Sequence, residues 1–135
     1  MKKILFLIAV VVFGIWLYSH QGNSGSAKLE PCKYHRTVAE WYMDAILNQD
    51  QNRAIFYSSG MAKSSGYGAI MAELRGYPGR FTKYTLMTGG APSGDYSSGR
   101  ALMYGANGDM FCVLAFTMQR INGNWYISEV GTKRE

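Results

Sequence analysis

Apolar residues run without a break over residues 4–18 (ILFLIAVVVFGIWLY), and a small, polar, Gly/Ser-rich stretch follows over residues 19–27 (SHQGNSGSA). Beyond it the pattern becomes periodic. Tyr34, Val38, Trp41, Tyr42, Ala45 and Ile46 recur at steps of three and four, which predicts a helix of about sixteen residues opened by Pro31. Asn48-Gln49-Asp50 breaks it, and Asp50 is placed to cap a short second helix over residues 51–57, with Ala54, Ile55 and Tyr57 available for packing. A turn at Ser58-Ser59-Gly60 ends that helix. Ser64 or Ser65 then caps a third, whose stripe is Tyr67, Ile70, Met71 and Leu74 and whose stop is Gly76 ahead of Pro78.

After Pro78-Gly79 the period changes to two. Residues 81–87 (FTKYTLM) alternate and are rich in Thr and aromatic residues, as in a strand with one wet face. The turn-rich residues 89–98 read as a loop and residues 99–106 as a second strand. Asn107-Gly108 is a tight-turn dipeptide, residues 109–121 form a long third strand, Asn122-Gly123 repeats the turn signal, and residues 125–130 close the chain as a fourth. The order α-α-α-β-β-β-β predicts an α+β domain with an antiparallel meander.

The run over residues 4–18, behind Met1-Lys2-Lys3, has the basic and hydrophobic regions of a bacterial-type export signal. This divides the chain into a signal peptide or membrane anchor (1–18), a flexible linker (19–30) and a folded domain (31–135). With Lys2 and Lys3 on the cytoplasmic side, the expected location is the bacterial inner membrane with the domain in the periplasm or outside the cell. The residues just after the run offer no small-x-small cleavage site, and Gly25-Ser26-Ala27 lies far downstream, so an uncleaved anchor is the expectation; the alternative is secretion to the periplasm after cleavage. Setting Lys2 and Lys3 aside leaves 12 basic against 9 acidic residues. They are scattered rather than blocked, which argues against a nucleic-acid partner.

Cys32 and Cys112 are the only cysteines, and in an oxidising compartment an even pair invites a disulfide. The alternative is that Cys112, between Phe111 and Val113, is a small buried apolar residue. Two cysteines with His20 and His35 show no metal-ligand spacing, and no motif calls for a cofactor. The glycine-rich loop over residues 89–99 lacks the ending that phosphate binding requires.

The helical segment that ends Asn48-Gln49-Asp50 and continues to Ala54, followed by a meander ending Asn122-Gly123-Asn124-Trp125-Tyr126-Ile127, resembles the NTF2-like superfamily, and within it the small exported domains of bacterial lipoproteins and envelope proteins. The resemblance implies a cystatin-like cone, in which three helices pack on a strongly curved four-stranded sheet and the mouth holds a ligand, an active site or a partner surface. Cys32 stands too far from the apolar run to be the acylation cysteine of the lipoprotein members. Dimerisation through the sheet is a tendency of the superfamily.

No recognisable catalytic constellation is present, so the leading expectation is a non-catalytic exported domain. It would bind a partner protein of an envelope or secretion assembly, or an apolar small ligand, through Trp41, Tyr42, Tyr67, Met71, Tyr104 and Phe116. The alternative is a small-molecule isomerase or dehydratase with Asp44 or His35 as base and Tyr42 as acid. Tyr104 and Asp109 are further raw material, although Asp109 follows a turn glycine, and Asp44, off the apolar stripe, is expected to face solvent.

Overall fold

The computed structural model describes residues 29–77, 79–88 and 91–134. The expected anchor and most of the linker lie outside the described residues. Among the described residues no helix is long and apolar enough to cross a membrane.

Three α-helices precede four strands: α1 (His35–Leu47), α2 (Gln51–Phe56), α3 (Tyr67–Arg75), then β1 (Phe81–Thr88), β2 (Tyr96–Gly105), β3 (Met110–Ile121) and β4 (Asn124–Arg134). α1 starts later than its periodicity suggested. Tyr34 is extended (φ −114°) at the N-cap position and its side chain is 66% exposed, so it stands outside the stripe. α2 is capped as expected, with the Asp50 carboxylate accepting the Arg53 backbone N–H at 3.2 Å. Ser64 and Ser65 are not caps. Both sit in a π-helical turn, Ala62–Gly66, and return their hydroxyls to the Met61 carbonyl at 3.2 Å. Gly66 lets this turn press against β4, because a Cβ there would lie 2.7 Å from Cγ1 of Val130.

The sheet is an antiparallel meander in the order β1-β2-β3-β4. Its register shifts once in each pairing, between Phe81 and Lys83, Met103 and Tyr104, and Thr117 and Met118. Such bulges bend and twist strands. α1 packs against both edge strands, β1 and β4, so the sheet wraps around it. Val38, Ala39, Tyr42, Met43, Ala45 and Ile46 of α1 are buried against Ala101 and Met103 of β2, Leu114, Phe116 and Met118 of β3, and Trp125 and Ile127 of β4. Each large side chain so buried contributes about 1.5–3 kcal/mol.

The free edge of β4 is occupied by earlier chain. Trp125 donates its N–H to the Cys32 carbonyl (2.8 Å), Ile127 to that of Tyr57 (2.7 Å), and Ser59 to that of Ile127 (2.7 Å). Leu29 packs against the core and the Glu30 carbonyl accepts the Tyr57 hydroxyl at 2.8 Å, tying the end of the linker to the domain.

The same register overturns the disulfide. Cys32 meets β4 at Trp125, which pairs with Arg120, whereas Cys112 pairs with Arg134. Eight residues of β3 therefore separate the two levels, roughly 26 Å at the rise of a strand, against the 4.4–6.8 Å between Cα atoms that a disulfide spans. Both cysteines are buried thiols, directed to the carbonyls of Tyr34 (3.7 Å) and Val113 (3.8 Å).

A carboxylate and a tyrosine between the first helix and the first strand

Glu40, Asp44 and Leu47 lie at steps of four and three along α1, on the face turned to β1. Across this seam Tyr84 of β1 donates its hydroxyl proton to Oδ1 of Asp44 at 2.6 Å, with the Glu40 carbonyl at 3.2 Å. An O···O distance this short is characteristic of a hydrogen bond to an ionised carboxylate. Burial, reinforced by the bond to Asp44 and by the charges of Asp44 and Glu40, raises the Tyr84 phenol well above its ordinary range. It therefore stays protonated at neutral pH. Asp44 is half-buried against this partner rather than free in solvent, which corrects the expectation drawn from its place off the apolar stripe.

Further along α1, a cleft of about 540 Å³ lies between the end of α1, α3 and the start of β1; Asp44 and Tyr84 are not in its lining. Its apolar wall is Ile46, Leu47, Tyr67, Met71, Leu74 and Phe81, and its polar rim is Gln49, Gln51, Arg75 and Arg80. Leu47 is three residues beyond Asp44, about 4.5 Å along the helix axis. The bulge after Phe81 brings Phe81 and Tyr84 to the same inward side of β1. Two other hollows are larger, one of 680 Å³ over the sheet around Arg100, Ala115, Glu129 and Gly131, and one of 720 Å³ beside α2 around Leu29, Phe56, Lys63 and Tyr126. The lining of the first includes Glu129 together with Arg100, Ser98 and Thr117 but no tyrosine or histidine, and that of the second no carboxylate.

The other anticipated residues are dispersed. His35 opens α1, about 14 Å along the axis from Asp44, with Nδ1 3.2 Å from the Ser97 hydroxyl and its ring tilted on Trp125 at 5.6 Å. Burial, and secondly Arg36, lower its pKa. Tyr42 is 1% exposed in the core. Its hydroxyl lies beside Ser58, whose own proton goes to the Ala54 carbonyl at 2.5 Å, and it has no partner at hydrogen-bonding geometry. Burial raises this phenol far above its ordinary range. It is not in the lining of the cleft.

Of the expected binding residues, Tyr67 and Met71 line the cleft. Trp41 is half-buried on Tyr57 at 5.4 Å, Phe116 fills the core, and Tyr104 lies beneath the Lys83 ammonium at 5.2 Å. Asp109 is exposed in a turn, its N–H bonded to the Asn107 side chain at 3.1 Å. Among the described residues no cluster of His, Cys, Asp and Glu could hold a metal ion. The residue that sequence reasoning missed is Tyr84. Its signal is weak, an aromatic on the alternate face of a Thr-rich strand, and its partner lies 40 residues away.

No protein-family model matches the chain, and no curated protein matches it in sequence. Among solved structures it is similar to an isomerase candidate of the SnoaL-like family from Agrobacterium tumefaciens strain C58, at 15% identity and a TM-score of 0.50, over 75% of this chain and 97% of that one. The likeness supports the NTF2-like fold and does not extend to the exported lipoprotein type. The matched protein is itself described as a candidate isomerase, which stands against the expectation of a non-catalytic binding domain, while at this identity the likeness shows the fold alone.

Proposed function

We propose that the domain is a small-molecule isomerase or dehydratase in which Asp44 is the general base and Tyr84 the hydroxyl donor. The 2.6 Å contact between them carries this reading. Without substrate the two groups satisfy each other. When a carbonyl compound enters, the Tyr84 hydroxyl turns from the carboxylate to the carbonyl oxygen, and a carboxylate lone pair becomes available for a proton on the adjacent carbon. The enol is stabilised by the phenol, which keeps its proton because its pKa is raised. Returning the proton at a different carbon completes an isomerisation; loss of a β-hydroxyl as water, protonated on leaving, completes a dehydration. The fold positions both groups on regular elements, a helix and a strand, rather than on loops.

The test is proton exchange. Small 3-oxo and 3-hydroxy carbonyl compounds incubated with the full-length chain in D2O lose their α-proton NMR signals if a base abstracts those protons. Asp44→Asn slows exchange about 10²–10⁴-fold, and Tyr84→Phe slows it while leaving Asp44 in place. Exchange at the wild-type rate in Asp44→Asn, or none above buffer with wild type across such a panel, overturns the reading.

A further inference from the structure

We infer that the cleft selects organic acids: an anionic head held between Arg75 and Arg80, with an apolar body against Ile46, Met71, Leu74 and Phe81. This rests on the catalytic reading of Asp44 and Tyr84, from which the cleft is reached one helical turn further along α1, and names the substrate class. Both arginines line the cleft and are exposed, and among the described residues neither has a carboxylate within ion-pair distance.

The neighbouring carboxylates are engaged or turned away. Asp50 accepts the Arg53 backbone N–H and lies 3.8 Å from its Nε, and Asp44 accepts from Tyr84. Glu73 precedes Arg75 by two residues and so faces a different side of α3. A cation at the end of a helix is explained by the carbonyls exposed there, which accounts for Arg75 alone. Arg80, in the segment leading into β1, has no such reason to share the rim, and two guanidiniums on one rim match the planar oxygens of a carboxylate. Gln49 and Gln51 add neutral amide donors. The volume of about 540 Å³ suits a ligand with a substantial apolar body.

The probe pair is 4-phenylbutanoate and 4-phenylbutan-1-ol, which share their apolar part and differ in the charge. Their binding to the full-length chain in a mild detergent is measured by calorimetry, with Arg75→Gln/Arg80→Gln under identical conditions so that partition into micelles cancels. The acid is expected to bind wild type about tenfold more tightly than the alcohol, and the preference to vanish in the double variant while alcohol binding is unchanged. Rising NaCl weakens only the acid. Equal affinities in wild type, or a preference retained by the double variant, overturn the inference. The two readings fail separately. Full proton exchange in Asp44→Asn with the acid preference intact removes the catalytic assignment and leaves the anion site, whereas exchange as fast on neutral methyl esters as on the free acids removes the substrate class and leaves the catalysis.

Discussion

The bond between Tyr84 and Asp44 is the observation on which most depends, and a double-mutant cycle on stability measures it without any substrate. Tyr84→Phe removes only the donor and keeps the ring that packs against the core; Asp44→Asn keeps the shape and removes the charge. A fully buried hydrogen bond to a charged group contributes about 1.5–3 kcal/mol. Both partners here are half-buried, so water takes over part of the lost interaction in each single variant. A coupling of about 1 kcal/mol is expected between them. For a domain of this size that corresponds to a fall in Tm of about 5 °C for Tyr84→Phe. Urea unfolding of wild type, both singles and the double gives the coupling directly. Alkaline pH supplies a second readout. A phenol whose folded pKa is raised adds stability that is complete below the unfolded pKa and is lost as pH climbs past about 10 towards the folded value. Tyr84→Phe therefore makes the alkaline loss of stability shallower. A coupling within about 0.3 kcal/mol of zero would mean that the contact is incidental, and the case for Asp44 and Tyr84 acting as a unit would fall with it.

Other consequences follow from the packing. Gly99→Ala is expected to cost about 1–3 kcal/mol by chemical denaturation, because the new Cβ would stand 2.6 Å from Cζ of Phe116 and 2.9 Å from the Met87 carbonyl. Burial, and secondly Arg36, lower the His35 pKa, so stability should decline as pH falls through and below its ordinary value of 6.5, where the unfolded chain takes up the proton first; His35→Asn should flatten that decline in melting temperatures between pH 8 and pH 5. Mass spectrometry after alkylation should find both cysteines unmodified in the folded chain and both modified in urea without reductant, since no disulfide joins them. Fractionation of bacteria making the full chain should place it, at uncleaved mass, in the inner membrane if residues 4–18 act as an anchor; a soluble cytoplasmic product would exclude export.

The elements were legible where local chemistry decides them. The 3–4 spacing from Val38 to Ile46 marks the buried face of α1, and Asp50 caps α2 as its side chain requires. The Asn122-Gly123 turn takes the left-handed conformation at both residues (φ 52° and 81°). What local pattern could not show was set by pairing. Tyr96, Ser97 and Ser98 read as loop, yet they extend β2 because Gln119, Met118 and Thr117 of the long β3 offer partners. The same holds for Thr132, Lys133 and Arg134, which carry no apolar alternation and continue β4 beside Leu114, Val113 and Cys112. The candidate site suffers most from this. Asp44 and Tyr84 meet only because α1 lies in the trough of the curved sheet, and the bulge at Phe81/Lys83 that puts Phe81 on the side of Tyr84 has no mark in the sequence.

Tyr42 gives the sharpest contrast with that pair, since the isomerase or dehydratase alternative named it as the acid. Its hydroxyl is buried in the core with the Ser58 hydroxyl nearby but no partner at hydrogen-bonding geometry, so folding took it out of water with little in exchange. Such a group costs about 1–3 kcal/mol. Removing the oxygen while keeping the ring should therefore be harmless or stabilising: Tyr42→Phe is expected to raise unfolding stability by up to about 1 kcal/mol, after allowance for the nearby Ser58 hydroxyl. Proton exchange should proceed in it at the wild-type rate, while Tyr84→Phe loses both stability and exchange. The two phenylalanine variants delete the same atom from two tyrosines of raised pKa, so a perturbed pKa alone does not separate them. Geometry does, because of these two hydroxyls that of Tyr84 is held against a carboxylate and that of Tyr42 is not. If Tyr42→Phe were the variant that lost exchange, the chemistry would lie in the core around Tyr42 and the assignment to Asp44 and Tyr84 would be wrong.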